Sequence, residues 1–100
     1  MRSLISILLC LVALVVTFEW DYTEDSSILG FRLYQSQVSG QYSPPPVAVI
    51  PAGIRTVTIT VPDGVYYWVI TSYKVSAEST YSNEVTNAKP SKPTGIQLIP

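Results

Sequence analysis

The sequence predicts an all-β protein, an antiparallel sandwich of about six to seven short strands behind an apolar N-terminal segment. Three observations predict it. Two stretches, Val16 to Trp20 and Arg55 to Val61, alternate apolar and polar residues with period two. A third, Tyr66 to Tyr73, is β-branched and aromatic almost throughout, as suits a strand inside a sheet. After Val16, no window longer than about ten residues carries a helical repeat.

In chain order, Met1-Arg2-Ser3 is a short cationic start to an apolar run from Leu4 to Val16, broken only by Ser6. Such a run is too short for a membrane-spanning helix of about 20 residues and suits the apolar region of a secretory signal. Residues 1–13 therefore read as a signal sequence, with Ala13 the best available cleavage point, or as a retained hydrophobic anchor. Leu9, directly before Cys10, is not the small residue a lipoprotein site needs. A third reading keeps part of the run as a buried strand, because Val15, Val16 and Phe18 continue into the next element.

Residues 14–88 form the expected domain. Val16, Phe18 and Trp20 share one strand face, with Thr17 and Glu19 on the other. Asp21 to Ser27 is a polar turn. Gly30 to Tyr34 opens a second strand with Phe31 and Leu33 facing inward, and Gln35 to Gln41 reads as loop. Pro44-Pro45-Pro46 cannot donate ladder hydrogen bonds and reads as an extended edge or a polyproline segment. Val57, Ile59 and Val61 face inward from the next strand, and Pro62-Asp63-Gly64 turns the chain. In Tyr66 to Tyr73, the residues Tyr66, Trp68 and Ile70 take the core side. Lys74 to Thr80 makes a hairpin connection, and Tyr81 to Thr86 returns.

Composition narrows the function. One hundred residues leave room for one core. Six basic and seven acidic residues give a net charge of −1 with no basic patch, so nucleic acid is not an expected partner. The single cysteine, Cys10, excludes an intrachain disulfide, and the lack of histidine removes the commonest general base and metal ligand. No cofactor, metal or catalytic group is expected. Asp21, Glu24 and Asp25 could hold Ca²⁺ only loosely, since they lack the spacing and glycine of a dedicated loop, and read as a solvated turn.

Several strings resemble a fibronectin type III domain, an immunoglobulin-like sandwich. Trp20 closes the first strand, Gly30-Phe31-Arg32-Leu33-Tyr34 resembles that family's G-Y-x-V-Y, and Pro62-Asp63-Gly64-Val65-Tyr66 resembles its P-G-T-x-Y. Glu78-Ser79 and Ser82-Asn83-Glu84-Val85 resemble segments of its bacterial and phage members. The resemblance implies that Tyr66 ties its hydroxyl to nearby backbone. It also implies that the first strand of the family is missing, because nothing like its P-x-x-P opening precedes Trp20. That opening stands instead at Pro90 to Leu98, so residues 89–100 resemble the first strand of a following domain. Two readings of this tail stand open, a flexible linker, or a strand donated to a neighbouring subunit with Ile96 and Leu98 as anchors.

The resemblance implies a non-catalytic module for adhesion, binding or assembly, secreted or at the cell surface, whose partner is another protein or a further copy of itself. Membrane contact would come only through residues 1–16 if they are retained. The outward set Arg32, Tyr34, Tyr67, Val69, Thr71 and Tyr73 is the expected contact face, since tyrosine combines area with a hydrogen-bonding tip. The alternatives are a phage virion or appendage protein assembling through its two ends, and a carbohydrate-binding accessory module using the tyrosines.

Overall fold

The computed structural model describes residues 13–23 and 25–100. The expected signal or anchor, Cys10 and Glu24 lie outside the described residues. Six strands follow in order: β1 (Ala13–Glu19), β2 (Gly30–Ser36), β3 (Ala48–Pro51), β4 (Thr56–Pro62), β5 (Tyr67–Tyr73) and β6 (Val85–Thr86). They form two antiparallel sheets, one of two strands ordered β1-β4 and one of four ordered β3-β2-β5-β6.

Alternation builds the interface between the sheets. Leu14, Val16 and Phe18 of β1, Trp20 just after it, and Val57 and Ile59 of β4 pack against a buried cluster of Ile28, Phe31, Leu33, Ile50, Val61, Tyr66 and Trp68, joined by Ile70 from β5. Trp68 is 1% exposed and lies beneath Phe18, their ring centroids 5.1 Å apart in an edge-to-face arrangement. Trp20 meets Phe31 in the same way at 5.3 Å. Such edge-to-face pairs add about 0.5–1.5 kcal/mol beyond area burial. At the start of β5 the Tyr66 hydroxyl donates to the Pro62 carbonyl at 2.9 Å, tying strand to turn as the resemblance implies.

Four elements differ from the sequence reading. β2 runs on to Ser36, because Gln35 and Ser36 pair with Trp68 and Tyr67, and Gln35 accepts the Trp68 indole N–H at 2.9 Å. Only then does the loop begin. The Pro44–Pro45 bond is cis and the chain bends there instead of running extended. The following Ala48–Pro51 is an edge strand that sequence reasoning passed over.

The return strand is the fourth. Only Val85 and Thr86 enter the ladder on β5, where an unbroken strand from Tyr81 is expected. Serine hydroxyls replace carbonyls along the rest. Ser79 N–H donates to Ser72 O and Ser82 N–H to Ile70 O, while Ser72 N–H and Ile70 N–H donate back to the Ser79 and Ser82 Oγ atoms. Residues 78–86 thus lie along β5 as a strap, satisfying its backbone without a regular strand.

Candidate functional site

Side-chain alternation places Arg32, Tyr34, Tyr67, Val69, Thr71 and Tyr73 on the face of the four-stranded sheet turned away from the core. An open contact surface is the expectation, and the structure corrects it. Tyr34 is 7% exposed, Val69 4% and Thr71 2%, whereas Tyr67 and Tyr73 are half-buried. From the strap beside β5, the side chains of Glu78 and Tyr81 reach over Thr71 and Tyr34.

Glu78 gathers three partners. Thr71 Oγ1 donates to it at 2.6 Å, the Tyr34 hydroxyl at 2.5 Å, and Arg32 Nη1 at 2.9 Å as an ion pair. These bonds, led by that from Thr71, hold the Glu78 carboxyl below its ordinary value. Burial, followed by the bond to Glu78, pushes the Tyr34 phenol up. Arg32 also stacks its guanidinium 3.9 Å from the centroid of Tyr73. The predicted docking face is therefore a closed polar network linking β2, β5 and the strap.

A second carboxylate does the same for the loop after β2. Glu84 accepts the Ser39 hydroxyl at 2.5 Å, the Gly40 N–H at 2.8 Å and the Tyr42 hydroxyl. Its own pKa is lowered, first by Ser39, while burial and Glu84 raise that of Tyr42. Tyr42 stacks edge-on against Tyr81 at 5.4 Å, and Tyr81 against Tyr34 at 6.0 Å. Tyr81 is 52% exposed and is the part of this aromatic row that faces solvent. Sequence reasoning noted the strings containing Glu78 and Glu84 but assigned them no role. The available signal was a lone carboxylate in a serine-rich segment that must return past Thr71 and Tyr34.

Along another side the two sheets stand apart. A groove of ≈ 550 Å³ runs between the end of β1 and the strap, lined by Phe18, Trp20, Leu33, Trp68, Ile70 and Val85 among others. Trp20, on its wall, keeps its indole N–H buried without an acceptor among the described residues. β1 has a strand partner on one side only among the described residues, namely β4. Trp20 N–H donates to Arg55 O, so by the alternation of an antiparallel ladder the backbone groups of Val15, Thr17 and Glu19 point to the unpaired edge.

The tail is the remaining expected contact element. Residues 89–100 are exposed throughout and enter no strand, with Ile96 and Leu98 each 97% exposed and Ile99 86%. In the acidic turn, Asp25 accepts both the hydroxyl and the N–H of Ser27, which lowers its pKa. Among the described residues no three His, Cys, Asp or Glu side chains come together as a metal site would require. Comparison with known proteins finds no family model that matches the chain and no curated protein similar to it.

Proposed function

We propose that the chain is a non-catalytic module of the fibronectin type III kind, secreted or displayed at a surface, that works by binding and assembly. The order of strands in its two sheets and the Tyr66 corner support the family reading. The carboxylates Asp25, Glu78 and Glu84 all accept hydrogen bonds from nearby chain, and this supports a structural rather than catalytic use of acidic groups.

One observation carries the assembly reading. Among the described residues, a strand edge without a partner lies beside an apolar groove, and the tail carries fully exposed apolar side chains. Soluble monomers seldom leave both unpartnered. A virion or appendage subunit is the second reading, favoured by the same tail. The carbohydrate reading, which uses the tyrosines, rests on Tyr81, at 52% exposure the most open ring of the row with Tyr34 and Tyr42.

Fractionating the native source and measuring the intact mass of the chain tests this. Recovery from the medium or cell surface with residues 1–13 removed is the expected result. Recovery at full mass in purified particles moves the assignment to the virion reading. A full-length chain free in the cytoplasm would overturn both.

A further inference from the structure

We propose that the groove beside β1 is the acceptor for the C-terminal tail of a second copy of this chain, so that subunits join head to tail by strand addition. The proposal rests on the assembly reading above and names its partner. It starts from the unequal layers, two strands facing four among the described residues, with the partly exposed apolar side chains of Phe18, Ile70 and Val85 lining the groove between them. A strand added to the edge of β1 that has no partner among the described residues would extend the smaller layer and roof that groove.

The tail has the chemistry of such a strand. In residues 94–100 the side chains of Ile96 and Leu98 fall on one face, with Gln97 between them on the other. The run Ile96 to Ile99 is long enough to pair with the middle of the seven-residue β1. Pro90 and Pro93, which cannot donate to a ladder, lie before this stretch. The backbone groups of Val15, Thr17 and Glu19 supply the receiving ladder, as in other cases of strand addition to a sheet edge.

Placement of the tail argues for a neighbour rather than its own subunit. Asn87 Nδ2 donates to Gly64 O at 2.8 Å, and Pro62, just before that turn, pairs with Ala13. The chain therefore leaves β6 at the end of the molecule where β1 begins. To fill its own groove it would have to reverse at once and run parallel to β1. Entering another subunit's groove requires no reversal. The contact joins two different surfaces, so it repeats from copy to copy and builds a chain or a closed ring.

The test uses the full chain in nonionic detergent micelles, with protein mass read by light scattering after size exclusion. The parent is expected to run as a dimer or larger. Ile96→Asp with Leu98→Asp disables the donor, and because both side chains are free in the subunit the fold should be unchanged by circular dichroism. Val15→Pro disables the acceptor, since its N–H faces the open edge and its side chain is 67% exposed. Each variant alone should be monomeric, and an equimolar mixture of the two should form dimers and nothing larger. A monomeric parent would overturn the proposal and place the tail in its own groove or in solvent. Oligomers that persist in the donor variant would also overturn it, assigning the contact to residues 1–12 or another surface. Neither result touches the localisation test of the binding reading.

Discussion

Glu78→Ala is expected to lower the unfolding free energy by about 2–4 kcal/mol, the largest effect of any replacement outside the apolar core. The carboxylate is the acceptor for Thr71 and Tyr34, whose residues are 2% and 7% exposed. Removing it leaves two buried hydroxyls without a partner, each costing about 1–3 kcal/mol, and the two losses overlap because they share one acceptor. The Arg32 ion pair, partly exposed, adds little. Glu78→Gln keeps one acceptor oxygen and should lose about half as much. Denaturant midpoints at constant m-value measure both, and a Glu78→Ala midpoint equal to that of the parent would show that the network contributes nothing.

The same network sets the direction of the pH dependence. The folded-state pKa values of Glu78 and Glu84 lie below the ordinary glutamate value of 4.5, so their contribution is complete above that value and is lost as pH falls through the folded values. Tyr34 and Tyr42 are raised above 10.0, so their contribution is complete below that pH and is lost as pH rises. Stability should be flat between about pH 5 and 9.5 and fall on both sides. Glu78→Gln should shallow the acid limb and, because Glu78 helps to raise Tyr34, should shallow the alkaline limb as well, leaving the Tyr42 contribution in place.

Gly30→Ala is expected to cost about 3 kcal/mol, at the upper end for an added methyl in a packed site. A Cβ on Gly30 would stand 2.2 Å from the carbonyl oxygen of Ile50 and 3.2 Å from its carbon. The obstacle is backbone, so no rotamer change relieves it. β3 must move away from β2, and the pairs Gly30 with Pro51 and Phe31 with Ile50 are the first to go. Gly53→Ala meets nothing within 4 Å and serves as the control. Thermal melts of the two variants decide the matter, and equal melting temperatures would show that β3 yields freely.

Strands that carry a strict period were legible in the sequence. Val16, Phe18 and Trp20, then Val57, Ile59 and Val61, face the core as alternation requires, because one buried sheet face fixes the register of everything paired to it. β3 was not legible, since four residues between Pro46 and Pro51 are too short a sample for any period. The outer face misled for a different reason. Alternation tells which side of a sheet a residue takes, but not what lies above it, and what lies above Tyr34 and Thr71 is a strap that returns from beyond β5. Neither Glu78 nor Glu84 sits in a periodic segment, so their roles arise only when distant parts of the chain are brought together.

The ladders themselves have a consequence for how quickly the chain can fold. The nearest partners in any of them are Leu33 with Ala48, and most are far apart, such as Ser36 with Tyr67 and Glu19 with Thr56. One local contact stands apart from these ladders: Tyr73 bridges Glu78 antiparallel and Lys74 N–H donates to Ala77 O at 2.7 Å, so the end of β5 and the start of the strap can form early as a hairpin. Every ladder between the named strands must first close a long loop, and the entropy of closure precedes the reward of contact. The refolding time constant belongs in the range from milliseconds to seconds, slow for a chain of this size, and stopped-flow fluorescence of the buried Trp68 reads it directly.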